Sequence, residues 1–329
     1  QFRSSAASDV YKRQELYGAD TVRLFILFAA NPTAGMDWSD TALEANYRVI
    51  LQLRTMPETI LNWGNDNSEI DNWLIARLKQ RVAEFNQAMD NYDLRRAVEI
   101  SHYELIKDIN WYSRRGGNNS AIGRTILESW TYLISVSTPH LAEEWGRCLG
   151  WQQMVSASQM ESVELVTPAE ENLLDYEFMM RNVLENARKV KTIAQKHLGG
   201  EAQSLTLIVA PEWKNQLSRA AITYLNDGGN VKQFIQVLKE MDFVNESNKG
   251  EILAYWNKRM LSQVFKWDDK SKSLILDEIN ELKVLSDRAK FIAGELDLGE
   301  VVVVTAENYP GDDGRENSAL PLSPSIVFA

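Results

Sequence analysis

Two short stretches combine residue types suited to gripping a polyanion. Trp111-Tyr112 is followed, after Ser113, by Arg114-Arg115 and then by Gly116-Gly117-Asn118-Asn119-Ser120. Aromatic rings beside guanidinium groups at a helix end suit base stacking and phosphate contact. The same arginines would equally well satisfy the carbonyl end of a helix. The second stretch, residues 181–197, holds Arg181, Arg188, Lys189, Lys191 and Lys196 against a single acid, Glu185. Arg181, Arg188 and Lys191 recur at helical spacing and fall near one face, a pattern that a merely solvated helix shares.

Other chemistry finds no support. The phosphate-loop pattern GxxxxGK[ST], the dinucleotide pattern GxGxxG and the nucleophile pattern GxSxG are all missing. Cys148 is the one cysteine, lies among apolar residues without a neighbouring histidine and reads as packing. It leaves no disulfide framework and no cysteine zinc site. His102, His140 and His197 are far apart in sequence, unlike a metal centre. His140 follows a proline at a helix start and reads as a half-buried core histidine. The acid pairs Glu143-Glu144, Asp268-Asp269 and Asp312-Asp313 are adjacent, and adjacent helix residues do not face each other. No catalytic residue and no metal site is expected in this chain.

Composition narrows the field further. The 329 residues carry a net charge of -11, with 44% hydrophobic and 25% charged residues, an ordinary globular balance for two or three domains. A generally basic nucleic-acid binder is excluded, which leaves only a local basic face. No apolar run approaches the ~18 residues of a membrane span. With a single cysteine, a reducing, cytoplasmic setting is the expectation.

The elements that must position these residues are mostly helical as far as about residue 166. Leu74, Leu78, Val82 and Phe85 mark one amphipathic helix, with Asp71 as its cap. After a break at Asp90-Asn91-Tyr92-Asp93, a second helix carries residues 94–111. A third spans 121–137, and Thr138-Pro139 starts a fourth that ends at Gly150. Short loops between antiparallel helices predict an up-and-down bundle. Residues 152–168 read as a linker. Beyond it come a helix over 172–197 stopped by Gly199-Gly200, a strand over 205–209, a helix over 212–225, further helices over 231–241, 249–264 and 277–295, and strands over 300–305 and 324–328. The whole predicts a mainly α chain, a helical bundle followed by a smaller α+β domain.

Residues 1–14 stand apart. Asp9-Val10-Tyr11-Lys12-Arg13-Gln14 back-translates to a string that resembles a transposon end used in sequencing libraries. The segment is therefore read as a non-native leader, expected to be disordered or unpacked against the bundle.

Several stretches together resemble the class I aminoacyl-tRNA synthetases. Tyr17-Gly18-Ala19-Asp20-Thr21-Val22-Arg23-Leu24-Phe25 is similar to their YGAD segment after the KMSKS loop. Asn72-Trp73-Leu74-Ile75-Ala76-Arg77-Leu78, with Asn91-Tyr92-Asp93-Leu94-Arg95-Arg96-Ala97, resembles the opening helices of their anticodon-binding bundle. Thr138-Pro139-His140-Leu141-Ala142-Glu143-Glu144-Trp145 resembles the signature that ends it. These fit the valine, isoleucine, leucine and methionine branch. Asp108-Ile109-Asn110-Trp111-Tyr112-Ser113-Arg114-Arg115 and Ala319-Leu320-Pro321-Leu322-Ser323-Pro324-Ser325-Ile326 resemble the archaeal type of leucyl-tRNA synthetase.

The resemblance covers residues 15–329 and implies a C-terminal fragment: the end of the catalytic region over 15–40, the anticodon-binding bundle over 41–166, and a tRNA-binding α+β domain over 167–329. HIGH, KMSKS, the leucine pocket and the editing domain are missing, so the fragment itself is expected to be inactive. In the intact enzyme ATP and Mg would serve leucine activation and transfer to tRNA, and leucine and ATP would bind only the missing catalytic domain. The implied partner is tRNA(Leu) with its long variable arm. By that analogy Trp111, Arg114, Arg115, the basic residues of 181–196, and Glu212, Trp213 and Lys214 are candidate tRNA contacts. Trp213 would stack, Glu212 would accept from a base amino group and Lys214 would meet phosphate; equally, Trp213 would simply pack its helix onto the sheet. The alternatives are a non-catalytic helical scaffold and a fragment of a valine or isoleucine enzyme.

Overall fold

The computed structural model describes residues 2–29, 38–198 and 201–329, with the side chains of residues 10–29, 38–196 and 201–329. The predicted stop at Gly199-Gly200 and the side chain of His197 lie outside the described residues. The chain divides into two units, Gln1–Leu174 and Asp175–Ala329.

The first unit is built from α1 (Phe2–Tyr17), α2 (Ala19–Ala29), α3 (Asp40–Leu61), α4 (Glu69–Asp90), α5 (Leu94–Glu99), α6 (Leu105–Arg114), α7 (Ser120–Ser135) and α8 (Pro139–Cys148). Side-chain caps set the starts. Ser39 accepts from the Ala42 amide, Asp93 from that of Arg96, and Asn119 from those of Ala121 and Ile122. Asp71 is not the cap predicted for α4. Ser68 is the N-cap, and Asp71, three residues on, reaches back to the Ser68 amide as the other half of a capping box. A π-helical turn, Ile100–Glu104, joins α5 to α6. A two-residue ladder pairs β1 (Asn65–Asp66) with β2 (Asn118–Asn119) and ties the α3–α4 loop to the α6–α7 loop.

Large apolar side chains fill the bundle. Trp130 and Trp145 meet edge to face at 5.0 Å, and each indole donates to a backbone carbonyl, of Ser101 and Leu53 respectively. His102 is wholly buried, with its ring nitrogens 2.8 Å from Ser101 Oγ and 3.0 Å from Thr138 Oγ1. Desolvation drives its pKa down to about 3, so it is a neutral core histidine.

The leader is not unpacked. It forms most of α1, Val10 packs against Val22, Phe25 and Leu43, and Arg13 pairs with Asp40 at 3.0 Å over the Trp38 ring. Its outer face stays open, with Tyr11 69% exposed.

The second unit takes in most of α9 (Pro168–Leu198) and then β3 (Ser204–Val209), α10 (Glu212–Asn226), α11 (Val231–Leu238), α12 (Lys249–Tyr255), α13 (Leu261–Val264), α14 (Asp269–Leu276), α15 (Glu281–Asp287), α16 (Ala289–Glu295), β4 (Glu300–Thr305) and β5 (Ser325–Phe328). The sheet order is β4-β3-β5, with β4 parallel and β5 antiparallel to the central strand. The helix expected over 277–295 starts only at Glu281, after Glu278 with φ 56°, and divides into α15 and α16 at Arg288, while α14, which the periodicity missed, starts at the Asp268 cap. Trp256, Phe234, Met260 and Leu217 centre the core beneath these helices. Among the described residues no helix is long and apolar enough to cross a membrane.

Candidate nucleic-acid interface

The YGAD-like segment works as a clamp. Asp20 is buried, and its two carboxylate oxygens take His140 Nδ1 at 2.9 Å and the Leu141 amide at 2.8 Å. It thereby satisfies an orphan donor in the first turn of α8, from a helix far away in sequence. Arg23, one turn on, donates to the carbonyls of Ser137 and Val136 at the end of α7. So Asp20 and Arg23 hold the α7–α8 corner from outside, and His140 is not the core histidine expected: its side chain is 75% exposed. Replacing Asp20 with Ala is expected to destabilise the first unit by about 1–2 kcal/mol, as loss of a helix cap does. Urea melts of the two proteins check this, and an unchanged midpoint would refute the clamp.

The arginines of the two bundle-opening segments also serve structure. Arg77 and Arg81 both meet Asp108, at 3.2 and 2.9 Å, and the Asp108 carboxylate is almost fully buried. Arg81 also pairs with Glu84 and Glu104, and Arg96 with the same two glutamates. This network joins α4, α5 and α6, and its arginines face protein carboxylates.

In the Trp111–Arg115 stretch, the two aromatics point inward. Tyr112 is fully buried, donates to Asp71 at 2.6 Å and accepts from the Asn119 amide. Desolvation and the Asp71 carboxylate push its pKa up. Trp111 is 4% exposed, which closes its faces to a base. Arg114 is exposed and carries its guanidinium 5.2 Å from the Trp111 ring centroid, while Arg115 is half-buried. What reaches solvent at this helix end is therefore charge, held in place by an aromatic ring.

The basic helix is largely neutralised. Arg188 pairs with Glu295, Lys191 donates to the Leu296 carbonyl, and Lys189 pairs with Glu185 at 2.8 Å. Arg181 is half-buried and Lys196 is exposed. The one-sided cation count in the sequence missed Glu295, which comes from α16.

At the start of α10 the three candidates separate. Glu212 is exposed and pairs with Arg219 at 2.7 Å, beside a cavity of about 320 Å³ at the carboxyl ends of β3 and β4. Trp213 is half-buried and meets Tyr255 edge to face at 5.1 Å. Lys214 does not meet the expectation of a phosphate contact. It is 3% exposed, and its Nζ donates to the carbonyls of Asn317 and Ala319, both at 2.9 Å. Burial lowers its pKa to about 8. Across the same segment, buried Glu281 accepts from the Leu322 amide at 2.7 Å, and desolvation raises its pKa to about 7. Lys214 and Glu281 thus fasten residues 317–322 from two sides.

The family model described as the anticodon-binding domain of tRNA ligase matches residues 71–203. A leucine–tRNA ligase of Archaeoglobus fulgidus is 29% identical over 95% of this chain and 31% of its own length. That of Methanococcus vannielii is 28% identical over 97% of the chain and 31% of its length. A solved ternary complex of a leucyl-tRNA synthetase with tRNA and LeuAMS, from Agrobacterium radiobacter K84, covers 51% of this chain and 22% of its own. Its TM-score is 0.40 and its identity 19%, too slight a likeness to carry an argument. The chain spans about 31% of the length of the curated relatives it matches. Residues 71–203 thus match the anticodon-binding domain of the tRNA ligases, and nearly the whole chain is similar to about a third of the length of the archaeal leucine–tRNA ligases.

Proposed function

We propose that this chain is the tRNA-holding part of a leucine–tRNA ligase, the enzyme that charges tRNA(Leu) with leucine at the expense of ATP. The observation that carries the reading is the archaeal homology running through both units, over 95% of the chain. It speaks against an unrelated helical scaffold. Among the described residues no group of three or more His, Cys, Asp or Glu side chains has the arrangement to hold a metal ion. In this reading the residues of this chain bind and orient RNA.

A chain of net charge -11 repels RNA at long range, so binding depends on local cations. Arg114, fixed over Trp111, and Arg115 would contact phosphate at the end of α6, and Arg181, Lys189 and Lys196 would do so along α9. Glu212 and Trp213 would meet the tip of the long variable arm, Glu212 as acceptor and Trp213 by its exposed half. The test is a salt titration of binding to a tRNA(Leu) transcript, with a second transcript whose variable arm is cut short. Wild type is expected to prefer the long arm, and Arg114→Ala to reduce the magnitude of the log–log salt slope by roughly 0.7–0.9. Equal binding of both transcripts would overturn the variable-arm reading. An unchanged slope would remove Arg114 from the interface.

A further inference from the structure

Three cations without an ion-pair partner among the described residues form a further cluster, which the sequence pattern did not single out. Residues 252–267 contain no acid and three cations, Lys258, Arg259 and Lys266. The fold sorts them by side. Trp256, Met260, Val264 and Trp267 are buried in the core of the second unit. Lys258, Arg259, Ser262, Phe265 and Lys266 are all exposed. Positions 258, 259 and 262 lie on the outer side of the helical segment, and Phe265 and Lys266 continue that exposed side in the turn after α13. None of the three cations has an ion-pair partner among the described residues, in contrast to Arg188 and Lys189, which are paired, and to Lys191, which donates to a carbonyl.

Two features distinguish this face from scattered surface lysines. Phe265 is 64% exposed, an aromatic ring standing between cations where packing would have hidden it. And Trp256–Met260 is a π-helical turn, whose extra residue places Lys258 and Arg259 side by side on the outside while Trp256 and Met260 stay in the core. Unpaired charge for a backbone and an open ring for a base are the two parts of a single-stranded RNA platform.

We propose that the face formed by Lys258, Arg259, Phe265 and Lys266 is an RNA contact surface, with the cations on phosphates and Phe265 stacked on an unpaired base. The inference rests on the tRNA-binding reading above and adds to it a surface over residues 258–266, from the π-helical turn to the turn after α13. It is distinct from the α10 start, where Lys214 is consumed by carbonyls.

The experiment measures binding of the full chain to the tRNA(Leu) transcript across a salt series. The variants are Lys258→Ala/Arg259→Ala/Lys266→Ala, Phe265→Ala, and a charge-matched control, Lys232→Ala/Lys239→Ala/Lys283→Ala, whose residues are also exposed. The triple variant of the proposed face is expected to bind about tenfold more weakly, with the magnitude of the salt slope reduced by about 2. Phe265→Ala is expected to weaken binding several-fold at an unchanged slope. The control is expected to change the slope by less than half as much. All these positions are exposed, and thermal melts establish that each variant folds. If wild type binds and the face variant keeps its affinity and slope, or if the control loses as much, this inference fails while the general reading stands. If wild type binds no tRNA, both fail. Loss of binding to phosphatidylserine vesicles but not to tRNA would assign the face to a membrane surface and overturn the RNA proposal.

Discussion

Replacing Arg81 with alanine is expected to lower the melting temperature of the first unit by roughly 6–12 °C. The guanidinium is 8% exposed and faces Asp108, Glu84 and Glu104 at once. Its removal leaves buried carboxylate charge that water cannot reach, a change that costs about 3–5 kcal/mol when a buried pair loses one partner. Arg77 still holds Asp108 and Arg96 still holds Glu104, which keeps the loss near the lower value. At about 2–4 °C per kcal/mol for a unit of this size, the shift is large enough for differential scanning calorimetry. Arg81→Lys is expected to fall between, since an ammonium keeps the charge but not the planar fork. A shift below about 2 °C for the alanine variant would show that the network contributes little.

The second large effect is a divergence of the two units with pH. His102 has an ordinary pKa of 6.5 when unfolded and about 3 in the native core, where desolvation disfavours the charged ring. Between these values the unfolded chain binds more protons, so stability rises with pH. The contribution is fully present above about 6.5 and is lost as pH falls towards 3, by about 1.4 kcal/mol per unit. Asp71, Glu104, Glu143 and Glu170, each held below the usual carboxylate range by hydrogen bonds or ion pairs that outweigh desolvation, add losses of the same sign at lower pH. Glu281 works the other way. Its native pKa of about 7 lies above 4.5, so the native state binds more protons. Its contribution is present below 4.5 and disappears as pH rises to about 7. Peptide-resolved hydrogen exchange between pH 5 and 6.5 is expected to show residues 94–114 losing protection with acid and residues 281–295 gaining it, after correction for the intrinsic exchange rate. His102→Gln and Glu281→Gln should each flatten the profile of one unit only. Parallel profiles in wild type would refute both assignments.

Much of the architecture was open to pattern reading because one-sided helices announce themselves. Leu74, Leu78, Val82 and Phe85 all face the bundle core, and β3 and β4 fall within a residue of their expected limits. The misses have physical causes. α15 and α16 read as one helix because no residue type at Arg288 marks a stop, and the break before α15 is equally silent because Glu278 adopts positive φ without being glycine or asparagine. The candidate interface was harder to read than the fold. Charge counting along 181–196 could not see Glu295 or the Leu296 carbonyl, and Lys214 looked like a surface cation because its carbonyl partners lie at residues 317 and 319. The acid-free run at 252–267 was visible in principle, but only burial separates its cationic side from its core side.

The central position of β3 bears on how the second unit is made. Its neighbours are residues 300–305 on one side and 325–328 on the other, so its ladders cannot be completed until synthesis has passed residue 328. The first unit draws its internal contacts from residues up to 174 and has everything it needs much earlier. Domains tend to fold as units in the order they are made. The bundle is thus ready while β3, with Leu205, Leu207 and Ile208 destined for the interior, still waits on the ribosome without partners. That interval is when this chain is most exposed to strand-mediated misassembly, and chaperone engagement during translation should concentrate on nascent chains that end between residues 210 and 328.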